Sequence, residues 1–548
     1  MTVTAERLAP EAPARRPARR SRRPWPILVL SVAVVAVLAL PIAFLLLEAV
    51  QFGWRALVPL LFRGLTAELL FNTVGLTLVV TLFAAVLGTL SAWITERTDL
   101  PARRVLAVLI VLPVAIPDFA VAFGWKSLFP SIGGFGGAAL VMTLAVYPLV
   151  YLPVAASLRH ADPSQSEVAR SLGAGRVATF FRVTLGQVRL AVLGGALLVA
   201  LVVLAEYGAF EILGYRTFTT EIFTEFTVGF NTPASCGLSL VLVGLSLIVV
   251  LGEGAARGRG RVSRGGALTP HAAHLVPLGR AKWWVLGGVV AFLGAAVGVP
   301  LGAILYWLVR GGSSTLPPAS LLSAALHTAL YSAGAGLLAT AMALPVALLS
   351  VRHPGRLPAI LERSTYLVLA VPGLVIALGF TYVSERDANG FLYQSAFLLI
   401  LAYAVMFFPL ALVAVRTSLA QSPLALEEVA RSLGRPRREV LLRVTLPLVG
   451  PGLAAAFCLV FLEAVTELTA TLVLIPTGSQ TLATQFWAFQ TNTAYGQAAP
   501  YAALMVAIAA LPSVVLARWF DRLPGQAGAG RRPSTEGARL GPPGTVPT

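Results

Sequence analysis

Twelve stretches of roughly twenty apolar residues, punctuated by arginine, glycine and proline, leave this chain one medium in which to fold, a lipid bilayer. At 1.5 Å per residue, about twenty residues cross a ~30 Å hydrocarbon core. A large soluble protein with buried helices would need polar faces that these stretches lack. It would also carry about twice the charge of this chain, which is 57% hydrophobic and only 12% charged. The expected fold is all-α and integral to the membrane. Helices are expected near 27–47, 69–94, 105–126, 137–157, 190–210, 233–252, 283–308, 325–350, 364–383, 394–415, 450–475 and 498–517.

A net charge of +17 invites a nucleic-acid reading, but the distribution of that charge argues against it. With both termini cytoplasmic, 35 of the 41 basic residues fall on the cytoplasmic side. Only Arg55, Arg63, Lys126, Arg216, Arg310 and Arg386 face outward. That split is the positive-inside rule, so the charge sets topology and no nucleic acid is required. The arginine-rich start before Trp25 resembles a signal peptide, but the apolar run that follows is too long and lacks a clear small-residue cleavage site. It reads as an uncleaved first helix. Cys236 and Cys458, the only cysteines, lie in or beside apolar spans and suggest neither a disulfide framework nor a metal site.

The chain is internally duplicated. Glu167-Val-Ala-Arg-Ser-Leu-Gly173 recurs identically as Glu428-Val-Ala-Arg-Ser-Leu-Gly434, and Arg182-Val-Thr-Leu185 recurs at the same offset as Arg443-Val-Thr-Leu446. Val114-Ala-Ile-Pro117 matches Leu369-Ala-Val-Pro372, Gly124 matches Gly379, and Pro148 matches Pro409. The offset grows between these points, which places an insertion in the loop 384–393. Glu206 matches Glu467, and Thr217-Phe-Thr-Thr220 matches Thr481-Leu-Ala-Thr484. Six crossings per half make the repeats parallel. The expected organisation is a basic cytoplasmic N-tail over 1–24 and a first repeat over 25–255. A flexible cytoplasmic linker over 256–282, a second repeat over 283–520 and a disordered cytoplasmic C-tail over 521–548 complete it.

Each heptapeptide reads as one arm of a cytoplasmic hairpin. Asp162-Pro163 and Ser422-Pro423 supply a helix cap and first residue, with Gln165 completing a capping box in the first copy. The helix stops at Gly173 or Gly434, the residue that best accepts a left-handed C-terminal turn. A second short helix follows, in the later copy from near Pro436. One such hairpin is explained as a connector; an identical polar pair on diverged halves points to two equivalent partners.

The pattern Glu-x-Ala-x-x-x-Gly, followed about nine residues later by Val-x-Leu-Pro, resembles the EAA loop of ABC importer permeases, with Leu185-Gly186 replacing the usual Leu-Pro in the first copy. The resemblance covers roughly 25–520 and implies the type I importer permease fold, a fused permease subunit of a binding-protein-dependent importer. It implies that the loops dock on two cytoplasmic ATPase subunits. Glu167 and Glu428 would contact the ATPase, Ala169 and Ala430 would allow close approach, and Gly173 and Gly434 would make the turn. An extracytoplasmic substrate-binding protein would deliver the cargo. The chain has no Gly-x-x-x-x-Gly-Lys-Ser/Thr loop, so ATP belongs to a partner subunit; the chain is expected to bind no cofactor and to be no enzyme. Two fused six-helix halves, Asn72-Thr73, Glu96-Arg-Thr-Asp-Leu-Pro101 and Thr466-Glu-Leu-Thr-Ala-Thr-Leu472 are similar to the ferric-iron permeases of the bacterial cytoplasmic membrane. Thr466 and Thr469 depart from that group's Lys and Pro. Thiamine, phosphonate or another small polar solute is the alternative cargo.

Carboxylates in hydrocarbon are expensive and each calls for a role. Asp118, Glu206, Glu463 and Glu467 are the candidates for a translocation path, since two-fold symmetry can bring Glu206 and Glu467 to the centre and ferric iron favours oxygen ligands. Against this, Glu206-Tyr-Gly208 also resembles segments of sulfate and molybdate permeases, where it would be a packing or gate residue. Glu211, Glu221 and Glu225 read as external, able to meet a binding protein. His271 and His274 have metal spacing but no further ligands, and Gly133–Gly137 reads as an external loop. An ion-coupled secondary transporter is the competing class; it explains the carboxylates but not the duplicated hairpin. A lipid-modifying enzyme lacks any convincing nucleophile–base or metal constellation.

Overall fold

In the computed structural model, residues 25–161, 164–258, 275–311, 318–386, 390 and 392–520 are described. Both tails, residues 259–274 with His271 and His274, the Asp162-Pro163 cap and part of the insertion loop lie outside the described residues. Every named element among the described residues is a helix. Eight helices are long and apolar enough to span a membrane, and three bent helix pairs raise the number to eleven. The twelfth expected segment, 498–517, lies on the helix Tyr495–Phe520.

The first repeat comprises spans at Trp25–Phe52, Gly64–Arg97, the bent pair Arg103–Ala115 and Asp118–Leu128, Gly134–Arg159, Phe180–Ala205 and Thr232–Gly252. The second comprises spans at Ala281–Arg310, Ala319–Arg352, the bent pair Arg356–Ala370 and Gly373–Glu385, the bent pair Ala396–Met406 and Phe408–Gln421, and Arg437–Val465, followed by a twelfth long helix, Tyr495–Phe520.

Three differences from the sequence expectation have physical causes. The third and ninth spans are not straight: they bend by 94° and 104°. The matched Pro117 and Pro372 push the residues before them, Ile116 and Val371, into extended backbone, which ends the first arm of each. The fifth and eleventh spans start about ten residues earlier than expected and stop at Ala205 and Val465. Finally, Gly134–Gly137 is the first turn of a helix rather than a loop.

Two hydrophobic cores result, and neither follows the repeat boundary. One joins the second to fifth spans with Val289, Leu293 and Ala296 of the seventh and Tyr501, Ala502 and Met505 of the twelfth. The other joins the eighth to eleventh spans with Val34, Leu38 and Leu45 of the first and Cys236, Leu238 and Leu242 of the sixth. Each half therefore lends its outer spans to the other.

The described ends of the linker are tied down. The sixth-span helix continues to Gly258. Val276 donates to Arg97 O at 2.8 Å and accepts from Asp99 N at 3.3 Å, while the Leu278 N–H donates to Asp99 Oδ1 at 2.7 Å.

Candidate functional site

The two hairpins fold alike because their sequences demand the same turn. Gly173 and Gly434 have φ of +86° and +82°, the left-handed region in which only glycine is free of Cβ strain. Gly173 N donates to Arg170 O and Ala174 N to Ala169 O; in the second copy Gly434 N donates to Arg431 O and Arg435 N to Ala430 O. These are the paired bonds of a Schellman cap, and they make Ala169 and Ala430 acceptors of the turn. Glu167 and Glu428 lie exposed on the helices Ser164–Ser171 and Leu424–Ser432.

Two local expectations need correction. Ser422 does not cap its helix: its Oγ is buried without a partner, and the backbone turns at Pro423. The second arm is not a separate short helix. Arg176–Thr179 and Arg437–Val440 each pass through one π-turn, Phe180–Thr184 and Leu441–Thr445, straight into the next helix, Leu185–Ala205 or Leu446–Val465. The repeated Arg-Val-Thr-Leu is that junction.

The sequence reading overlooked the apolar part of this surface. Val168 and Leu172 are 57% and 82% exposed, and Val429 and Leu433 are 55% and 76% exposed. The signal was present as an i, i+4 apolar pair inside an otherwise polar helix. The same apolar pair is exposed at equivalent positions in both hairpins.

At the other end of each hairpin-linked span lies a break. Glu206 leaves the helix in extended backbone (φ −71°, ψ 132°), and its Oε1 accepts from Ala209 N at 2.7 Å, capping the short helix Gly208–Leu213. Glu467 does the same for Thr469–Leu474, accepting from Ala470 N at 2.8 Å. Inside a membrane an unpaired N–H costs several kcal/mol, so a carboxylate is an effective cap there. The next helices, Phe218–Thr227 and Leu482–Thr491, begin with the matched capping boxes Thr217/Thr220 and Thr481/Thr484.

The four carboxylates singled out from the sequence are linked through pairs of neighbours: Glu206 feels Asp118 and Glu467, and Glu463 feels Asp118 and Glu467. All four are half-buried. Asp118 and Glu463 have no acidic counterpart, since Gly373 and Val202 hold the equivalent positions. Among the described residues no three His, Cys, Asp or Glu side chains converge as a metal site. The arrangement is a loose acidic cluster. Aromatic rings pack against one another around the residues next to it. Tyr207 lies 4.4 Å from Phe223 and 5.5 Å from Trp487, and Phe486 lies 5.3 Å from both Phe119 and Phe123, between ring centroids.

Glu221 and Glu225 are already paired. Arg63 Nη2 lies 2.9 Å from Glu225, and Arg216 Nη2 lies 2.8 Å from Glu221. Glu211 stays exposed on the helix Gly208–Leu213.

Residues 97–254 and 335–525 both match the family described as the inner membrane component of binding-protein-dependent transport systems, one match in each repeat. The chain is 37% identical to the Fe(3+)-transport system permease protein FbpB 2 of Haemophilus influenzae, over 91% of this chain and 99% of that protein. It is 22% identical to the ferric transport system permease protein FbpB of Actinobacillus pleuropneumoniae, over 83% of this chain and 72% of that one. Over 42% of its length the chain resembles the sulfate transport system permease protein CysT of Salmonella typhimurium, 28% identical and covering 92% of CysT. With two matched repeats, a near full-length relative and membrane-length helices in both halves, the chain belongs to the inner-membrane permeases of binding-protein-dependent ABC transporters.

Proposed function

We propose that this permease carries ferric iron across the bacterial inner membrane, with both termini and both hairpins in the cytoplasm. The observation that carries the reading is the end-to-end match to an Fe(3+)-transport permease at 37% identity. The acidic cluster agrees with it, since a hard cation seeks oxygen donors. A cluster of four carboxylates without a converged metal cage suits a cargo that must leave as well as enter.

A separate binding protein delivers the iron on the outer face. Two ATPase subunits, one per hairpin, bind ATP and close, and the hairpins carry that movement into the spans. Glu167 and Glu428 make the polar contacts; Val168, Leu172, Val429 and Leu433 supply the apolar ones; Gly173 and Gly434 set the turn. Direction comes from unequal affinity of the inward- and outward-open states for their ligands. This chain holds no cofactor and does no covalent chemistry in the cycle.

The test is uptake of labelled ferric iron by cells with and without this chain, with labelled thiamine and sulfate in parallel. The reading expects loss of iron uptake alone. Loss of thiamine or sulfate uptake with iron unaffected replaces the cargo and removes the role of the carboxylate cluster.

A further inference from the structure

Each half is tied together internally at both ends of one element. Arg97 and Arg352 are equivalent residues, each ending the long second or eighth span. Arg97 Nη2 donates to Leu158 O at 2.9 Å and Ala161 O at 3.2 Å, the carbonyls at the end of the fourth span. Arg352 Nη2 donates to Ser422 O at 3.2 Å, the position equivalent to Ala161, and its Nε donates to Glu427 at 3.0 Å. Both carbonyls stand immediately before a hairpin. The last carbonyls of a helix lack partners inside it, so a guanidinium fits there on charge and hydrogen bonding alike.

At the far end the symmetry repeats. Thr73 Oγ1 accepts from Phe218 N at 3.1 Å, and the equivalent Thr328 Oγ1 accepts from Leu482 N at 2.9 Å. Beside them, Asn72 donates to Arg216 O at 3.1 Å, and the equivalent His327 Nδ1 meets Gln480 O at 3.1 Å. These contacts hold the first turns of Phe218–Thr227 and Leu482–Thr491, the helices that follow the carboxylate breaks.

We infer that the second and eighth spans are rods that carry hairpin movement to these outer helices, with Arg97 and Arg352 as positioning residues at one end and Thr73 and Thr328 at the other. From Thr73 to Arg97 an unbroken helix reaches about 36 Å. Its neighbour in each half, the third or ninth span, is bent and transmits no push along a single axis. Backbone partners at matched positions in two diverged halves make a local packing accident a poor account. The inference rests on the hairpins being ATPase docks.

The test uses the purified complex of the full chain with its ATPase subunits, with Cys236→Ser, Cys458→Ser and a reporter Thr224→Cys at an exposed position of Phe218–Thr227. Maleimide labelling of the reporter is compared without nucleotide and with ATP plus vanadate. The expected result is a nucleotide-driven change that is lost in Arg97→Gln/Arg352→Gln and, separately, in Thr73→Val/Thr328→Val, while the ATPase stays bound. Arg97→Lys/Arg352→Lys keeps the change. A full response in either of the first two variants overturns the rods, as does an unsubstituted complex whose reporter ignores nucleotide. Release of the ATPase by Arg97→Gln/Arg352→Gln also overturns them, since the arginines then only shape the dock. Failure of the unsubstituted chain to hold any ATPase defeats the docking reading itself.

Discussion

Gly124 touches Pro300 backbone to backbone: a side-chain carbon added to the glycine would lie 2.6 Å from the proline Cα. Pro300 belongs to the first span of the second repeat, so the contact crosses the halves. Gly379, the equivalent of Gly124, meets Pro41 of the first span in the same way, again at 2.6 Å. Each repeat's first helix is thus wedged against the bent span of the other, which is why the two cores ignore the repeat boundary.

This contact predicts a sharp glycine requirement. Gly124→Ala and Gly379→Ala force backbone apart at a closed seam and should lower stability by about 1–3 kcal/mol each. Gly75→Ala, where the added carbon meets nothing within 4 Å, should be neutral or slightly stabilising. Thermal unfolding of the purified permease in detergent, monitored by helix signal, checks all three.

The hairpin turns make a different demand. Gly173→Ala and Gly434→Ala place a Cβ in the left-handed region at a cost of about 1–2 kcal/mol, whereas Asn tolerates that region better. The expected order of ATPase retention on the purified permease is Gly, then Asn, then Ala. Equal retention by all three would show that the turn does not shape the dock.

Capping and charge can be separated at the carboxylate breaks. Glu206→Gln and Glu467→Gln keep an oxygen for Ala209 N and Ala470 N, so folding should change by less than about 1 kcal/mol. Glu206→Ala and Glu467→Ala leave that N–H unpaired in the membrane and should cost about 1–3 kcal/mol each. If the charge serves iron, the Gln pair loses iron uptake while keeping its stability and its ATPase. Unimpaired uptake by the Gln pair assigns both residues to capping alone.

The duplication made much of this legible in advance. The matched threonines at 217/220 and 481/484 became two capping boxes, and the heptapeptide glycines became two left-handed turns, because local sequence decides local turns. The bends at Pro117 and Pro372 were readable from proline's effect on its predecessor, yet hydropathy runs straight through them because both arms are apolar. The break at Glu206 hid for the same reason: Gly208–Leu213 looks like more span, and only the carboxylate's bond to Ala209 N shows that the helix has ended. The exchange of outer spans between halves, and the contact of Arg97 with a carbonyl 64 residues away, depend on tertiary packing that no local window contains.

The most direct measurement is co-purification of the ATPase subunits with the full chain carrying Glu167→Lys and Glu428→Lys together. Reversing the charge on both hairpins should strip the ATPase from an otherwise folded permease and abolish ATP-driven uptake. Each single variant should retain partial binding through the remaining hairpin. A double variant that still holds its ATPase and still transports would contradict the account, because force would then have to enter the membrane somewhere other than the duplicated hairpins.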